Sequence, residues 1–309
     1  MIYDTIVIGG GIGGLQAAIQ LGRSLHRVLV IDRKQGRSLL AKKYRNILGY
    51  PDGISGETLR ERGESQAKKY GVQFLWDEAI DLRELSHGLF EVSVKNGAES
   101  YRAKTILVGT GITDPFPSLP GLLPCLGESI FICPDCDGFE SIDRLTAVLG
   151  DGKYAVEMAL ILTYYTDKLL IVNHARTPLA TEQLHLLEQK NIKLYEGPVS
   201  RIEARDGALA SIWLESGRQV QAEKAFLAFP GARLNTSLLD PFPVKRMDNG
   251  HLLVDPRTKE TSYRNIWAVG DIVAHSQQVS IAMGDGSQAA IWIHKRLLEM
   301  SKQPLVPQM

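Results

Sequence analysis

The hydrophobic pattern opens with a short β-branched run, Tyr3-Asp4-Thr5-Ile6-Val7-Ile8, that stops at Gly9-Gly10-Gly11-Ile12-Gly13-Gly14. From residue 15 to 21 the apolar positions are spaced for one face of a helix, and a second apolar run, Val28-Leu29-Val30-Ile31, ends at Asp32. Strand, helix and strand in this order make a βαβ unit. The order returns 141 residues later: an apolar run at 145–149, then Gly150-Asp151-Gly152-Lys153-Tyr154-Ala155, a helical pattern from about 156 to 164, and Leu169-Leu170-Ile171-Val172 ending at Asn173-His174. Two copies of one supersecondary unit predict two nucleotide-binding domains. Between them, residues 89–94 and 101–107 read as strands joined by the Lys95-Asn96-Gly97 turn. A second meander runs from 200 to 229, the Pro-rich stretch 114–124 reads as a linker, and Pro241 and Pro243 mark a second crossing. Residues 291–300 read as a helix followed by a loose end.

Composition narrows the class. The length, 309 residues, suggests about two domains at roughly 150 residues each. The 35 basic and 35 acidic side chains cancel, which argues against a nucleic-acid or acidic-membrane binder, since these need a basic stripe. A hydrophobic content of 44% is enough for an ordinary core and excludes a disordered chain. No apolar run approaches the 18 residues of a membrane span, and the first basic residue, Arg23, comes too late for a signal peptide. A cytoplasmic protein without membrane or nucleic-acid partners is expected.

The chemistry sits in the two glycine loops and the cysteines. Gly9-x-Gly11-x-x-Gly14 lies between a strand and a helix, the setting in which such a loop lets a pyrophosphate approach the helix N-terminus. Asp32, 18 residues past Gly14, stands where it can bond both hydroxyls of a ribose. Gly150-x-Gly152-x-x-Ala155 has the same frame, but its second strand ends in neutral Asn173, and only His174 and Arg176 are nearby for a 2′-phosphate. Of the three cysteines, Cys133 and Cys136 form a CxxC pair 14 residues before Gly150, able to close and reopen a small disulfide ring. Zinc would need two more ligands, and no His lies within 30 residues of the pair, so no metal is expected. Cys125 reads as a small apolar residue. Asp137, directly after Cys136, is a candidate proton donor and acceptor, or a helix N-cap, or both.

Together, the first glycine loop, a Cys133-Pro134-Asp135-Cys136-Asp137-Gly138 motif just before a second GxGxxA, and a length near 310 residues resemble the low-molecular-weight thioredoxin reductase family. The likeness extends along nearly the whole chain. The stretch from Asn46 to Gly56, the Val108-Gly109-Thr110-Gly111 turn, Asn235-Thr236, the segment from Asn265 to Asp271, Gln277-Gln278 and Gly284-Asp285-Gly286 all have counterparts there. The resemblance implies an α/β fold with two Rossmann-like, three-layer ββα domains: an FAD domain from 1–115 and 245–309, and a second domain, 116–244, inserted into it and carrying the cysteines. The implied FAD residues are Gly9, Gly11, Ile12, Gly13, Gly14, Asp32, Arg33, Asn46, Thr110, Gly111, Gly270, Asp271, Gln278 and Val279. A second dinucleotide would use Gly150, Gly152, Lys153, Tyr154, Ala155, Asn173, His174 and Arg176.

The implied activity is that of a disulfide oxidoreductase. Electrons pass through FAD to Cys133–Cys136 and on to a thioredoxin-like protein or small disulfide, with Cys136 facing the flavin, Cys133 attacking the substrate, Asp137 moving protons, and the inserted domain rotating in a homodimer. The chain departs from the family in three places. It has Asn173-His174-Ala175-Arg176 in place of a His-Arg-Arg cluster, Lys153-Tyr154 in place of small polar residues, and Gln277 in place of Arg. By the resemblance, all lie on the side that should receive NADPH. NAD(P)H, ferredoxin and a second FAD in the inserted domain therefore remain as donors. A dithiol oxidase using oxygen and a redox-sensing flavoprotein are the alternative functions.

Overall fold

The computed structural model describes residues 1–97 and 99–302. The described chain packs as two compact units, one made of Met1–Leu39, Ile54–Thr113 and 233–302, the other of Leu40–Gly53 and Asp114–Ala232.

In the first unit a seven-stranded sheet runs in the order Gln73–Leu75, Val28–Ile31, Ile2–Ile8, Ser100–Val108, Phe90–Val94, Ala79–Glu84, with Ile266–Ala268 also paired to Ser100–Val108. The first four of these strands are mutually parallel, and so is Ile266–Ala268; Phe90–Val94 and Ala79–Glu84 form an antiparallel meander. Val7, Val28, Val30, Leu107 and Trp267 pack with Ala17, Ala18, Leu21, Ala289, Ala290 and Ile293 of two helices, whereas Ile6, Ile8, Leu29, Ile31 and Ile106 pack with Leu82, Phe90 and Val92 of the meander. Alternate residues of each buried strand thus feed two cores, as a period of two requires. The register aligns Ile8 with Ile31 and Val108, and Val108 with Ala268, so four strands end together. Ligands of open α/β sheets sit outside such carboxyl ends.

The helix Val279–Lys302 is longer than the 291–300 expected from periodicity. Gly284 and Gly286 mask its first turns in the sequence, since glycine is a poor helix former. Gly286 is nevertheless required: a Cβ there would strike the Gly13 carbonyl of the facing helix Ile12–Arg23. The loose end expected of the chain falls on residues 303–309, outside the described residues.

The second unit holds a five-stranded parallel sheet in the order Lys193–Glu196, Leu169–Asn173, Thr146–Gly150, Lys224–Ala228, Ile130–Phe131. The helix Gly152–Leu162 covers one face through Ala155, Val156, Ala159 and Leu162. The antiparallel strands Val199–Arg205, Ala208–Leu214 and Gln219–Gln221 supply Val199, Ile202, Ile212, Leu214 and Val220 to the core on the other. Two differences from the sequence-based boundaries stand out. The chain re-enters the first unit at Arg233 rather than 245, because Arg233–Leu234 pairs with Ile112–Thr113. Residues 40–53, placed by sequence in the first domain, pack with the second unit, where Leu40 joins its core. Among the described residues no helix is long and apolar enough to cross a membrane.

Candidate active site

In the first unit the glycine loop follows Ile8 without a break. Gly9 has φ +101°, and a Cβ there would lie 2.5 Å from the Gly109 carbonyl oxygen; a Cβ on Gly14 would overlap the Gly9 carbonyl. The loop therefore closes tightly against the Val108–Gly109 strand end and starts the helix Ile12–Arg23. Its N-cap, Gly11, provides no side-chain hydrogen bond, so the first-turn N–H groups have no capping side chain from that residue. Such a donor set with its dipole favours an anion.

Asp32 anchors the loop. Its Oδ2 accepts from Gly10 N at 2.6 Å, and its Oδ1 accepts from Lys34 N at 2.7 Å and Arg60 Nη2 at 2.7 Å. With about two lone pairs per oxygen, one remains on Oδ2, where sequence reading expected Asp32 to hold both ribose hydroxyls. Arg60, 3% exposed, is a candidate site residue that sequence reading missed, and its buried Nε has no hydrogen-bond partner among the described residues. Arg33 leans outward to Glu78 at 3.4 Å. Thr110 donates its hydroxyl to the Asn235 carbonyl, and Asn235 returns a bond from Nδ2 to the Thr110 carbonyl at 3.2 Å, fixing the Gly109–Gly111 turn.

Gly270 and Asp271 follow the strand Ile266–Ala268, placing them at the same strand ends as the glycine loop. Gly270 N donates to Asp285 at 3.0 Å, and Arg37 reaches both Asp271 (3.3 Å) and Gln277 (2.6 Å). Gln278 and Val279 begin the long helix, where the Gln278 carbonyl accepts from Ala282 N. Beneath them lies an ionic cluster unseen in the sequence: Asp285, 3% exposed, accepts from His275 at 2.7 Å and Lys259 at 2.9 Å. The bond to Asp285 raises the His275 pKa. Burial alone would raise the Asp285 pKa, but its bonds to His275, Lys259 and Gly270 N–H outweigh burial and hold it low. Ile12 and Gly13 lie in the glycine loop with the others, whereas Asn46 lies in the 40–53 segment that packs with the second unit.

In the second unit Cys133 and Cys136 are joined as a disulfide, with Cα atoms 5.3 Å apart, across the helical turn Pro134–Asp137. Cys133 occupies the N-cap, Pro134 starts the turn, and Cys136 N donates to Cys133 Sγ at 3.2 Å. Asp137 precedes the next turn but makes no side-chain cap bond, so its carboxyl is not spent on capping. Burial pushes its pKa up to about 6; Arg45 and Lys224 act against that rise and Glu140 adds to it. Cys125 is fully buried in the core, in keeping with a packing role, and burial raises its thiol pKa. Phe139, just past the pair, is 73% exposed.

The second glycine loop is occupied by its own chain. Asn173 Oδ1 accepts from Gly152 N at 3.1 Å, and Asn173 Nδ2 donates to the Thr177 carbonyl at 2.8 Å. Asp151 Oδ1 accepts from Ala175 N at 2.9 Å, which brings a carboxylate to the loop. His174 turns inward, its Nδ1 accepting from Val199 N at 3.0 Å and its ring edge-on to Phe229. Lys153 Nζ lies 5.3 Å from the Tyr154 ring centroid, and Arg176 occupies a turn at φ +54°.

Residues 3–286 match the family model described as pyridine nucleotide-disulphide oxidoreductase. The chain belongs to this family. Thioredoxin reductase of Treponema pallidum is 28% identical over 299 residues, covering 93% of this chain and 95% of the relative, and that of Bacillus subtilis is 28% identical over 301 residues, covering 94% and 93%. Among solved structures, HlmI superposes with a TM-score of 0.85 at 28% identity, covering 97% of this chain and 93% of that one. A putative thioredoxin reductase of Bacillus anthracis superposes at 0.83 and 25% identity, covering 97% and 99%. Family and relatives agree with the disulfide in the second unit: the protein is a thioredoxin-reductase-like flavin disulfide oxidoreductase.

The cofactor implied is FAD, and the first unit fits it. An uncapped helix N-terminus suits its pyrophosphate, the remaining Asp32 lone pair suits a ribose hydroxyl, and the orphan Arg60 Nε lacks only an acceptor. At the second loop His174 is turned inward and a carboxylate borders the loop, leaving Lys153 and Arg176 as its nearby cations.

Proposed function

We propose that the protein reduces the disulfide of a thioredoxin-like protein or a small molecule through Cys133 and Cys136. The observation that carries this reading is the Cys133–Cys136 disulfide beside an uncommitted carboxyl whose pKa lies near neutrality. FAD, when bound, supplies the two-electron couple that opens this disulfide to a dithiol. Cys133 is the attacking thiol, since the Cys136 N–H that donates to its sulfur also stabilises a thiolate there. Its attack on the substrate disulfide forms a mixed disulfide and releases one substrate thiolate. Cys136 then attacks Cys133, releasing the second thiolate and restoring the Cys133–Cys136 bond. Asp137 holds the proton exchanged as thiol and thiolate interconvert, a task suited to a carboxyl with a pKa of about 6.

Delivery to substrate requires the inserted unit to rotate in this reading, and a cytoplasmic homodimer is the expected assembly. The donor is a pyridine nucleotide without strong preference for a 2′-phosphate, with ferredoxin or a second flavin as the other candidates. The decisive experiment is anaerobic reduction of the purified flavoprotein together with its flavin-to-chain ratio. Bleaching by NADH or NADPH followed by turnover of a disulfide supports the reading. Two flavins per chain would move the donor to the second loop. Rapid oxygen consumption with a dithiol, and no disulfide reduction, would replace the reading with a dithiol oxidase. Flavin redox change without turnover of either kind would leave only a sensing role.

A further inference from the structure

Segment 40–53 lies between two stretches of the first unit, yet it packs with the second. Three contacts fix it there. Leu40 enters the second unit's core, Gly127 passes so close that a Cβ would overlap the Leu40 carbonyl, and Arg45 reaches two carboxylates. Arg45 Nη2 is 3.6 Å from Glu128, and Arg45 Nε is 3.4 Å from Glu140, three residues past Asp137. Arg45 Nη1 also donates to the Lys43 carbonyl at 3.5 Å, which steadies the side chain. Lys224, at the start of its strand, also meets Glu128, donating from Nζ to its carbonyl at 3.1 Å. The charges of three groups from three elements act on Asp137: Arg45 of the 40–53 segment, Glu140 of the following turn, and Lys224 of the sheet.

We propose that Arg45 is a positioning residue for the redox disulfide, pairing with Glu140 so that the proton-exchanging carboxyl of Asp137 keeps a balanced charge environment beside Cys136. This inference rests on the disulfide-reductase reading above. Without Arg45, Lys224 alone offsets Glu140, and the acid form of Asp137 persists to higher pH. Without Glu140, Arg45 acts on Asp137 unopposed, and the carboxylate appears at lower pH.

The test uses the full-length, FAD-loaded protein, reduced with dithiothreitol, desalted anaerobically and mixed with an aromatic disulfide such as dithiobis(nitrobenzoate). The single-turnover rate is followed from pH 4.5 to 8.5. The dithiol is oxidised to the Cys133–Cys136 disulfide, and the reagent is reduced to two aryl thiolates with release of two protons. Wild type is expected to show an acid-limb inflection near pH 6 that Asp137→Asn removes. Arg45→Gln should raise that inflection by roughly half a pH unit or more, Glu140→Gln should lower it, and the double variant should return it close to wild type. Arg45→Lys, which keeps the charge, should stay near wild type, and thermal melting of each variant checks the fold. An unmoved inflection in Arg45→Gln, or an equal shift in Arg45→Lys, overturns the inference, as does a wild-type profile with no Asp137-dependent limb. A wild-type dithiol that does not react, or a rate unchanged by Cys133→Ser, overturns the disulfide reading itself.

Discussion

Asp137 shows how a single side chain can be half legible. Its place after Cys136 marks it as a proton carrier, a cap or both, and the structure bears on the cap alone: the turn that follows takes no bond from its side chain. A folded pKa of about 6 lets it donate below that pH and accept above it. Asp137→Asn should lower disulfide turnover by about 10²-fold near neutrality and flatten the pH profile, with the flavin spectrum unchanged. A steady-state assay from pH 5 to 8.5 checks this, and full retention of rate would remove Asp137 from the chemistry. The cysteines divide just as sharply. Cys133→Ser and Cys136→Ser should abolish turnover, whereas Cys125→Ser should keep it and lose about 1–3 kcal/mol of stability, because a hydroxyl enters an apolar core. Arg60 and Arg45 were illegible for a common reason. Each acts through a carboxylate distant in sequence, Asp32 for Arg60 and both Glu128 and Glu140 for Arg45, and no local pattern marks such a pairing.

At the scale of elements, strands and glycine loops were read well because their periodicity and turn residues are local signals. The N-terminal turns of the helix Val279–Lys302 were missed because the glycine that lowers helix propensity is the one that lets two helices touch. That end of the helix is held by the buried ionic cluster on Asp285, which makes it sensitive to pH. The folded-state pKa of His275 is raised, so its contribution is fully present below the unfolded value, near 6.5, and is lost as pH rises through the folded value. Denaturant unfolding should therefore show that His275→Ala costs about 1.5 kcal/mol at pH 5.5 and clearly less at pH 8.5. An equal cost at both values would mean that the charged bond to Asp285 does not support the helix. Gly14→Ala tests the facing helix. Its Cβ has no room beside the Gly9 carbonyl, so the loop must open, and the expected result is soluble protein with little bound FAD.

For the molecule as a whole, the sequence disclosed two nucleotide folds, one inserted in the other, but not that segment 40–53 packs with the inserted one. The 40–53 segment joins the second unit through Leu40 and Arg45, contacts made with residues far along the chain. What the neutral overall charge left open was the donor, and here the second unit bears directly on it. The side chains aligned with the family's phosphate cluster are engaged within the fold: Asn173 with Gly152 and Thr177, His174 with Val199. A cationic grip on a 2′-phosphate rests on charge-assisted bonds, each contributing about 1.5–3 kcal/mol, or roughly ten- to a hundredfold in affinity. On the proposed reading, a loop without those bonds gives NADPH no advantage over NADH, and the Asp151 carboxylate, held at the loop by Ala175 N, adds a negative charge there. The rates of anaerobic flavin reduction by NADH and NADPH should accordingly agree within about tenfold, and Ala175→Arg should shift the ratio toward NADPH by supplying a cation at the family's position. A strong NADPH preference in the wild type would require cations from elsewhere in the unit, Lys153 or Arg176, to swing onto the phosphate. In that case Lys153→Ala or Arg176→Ala would erase the preference and identify which of them does so.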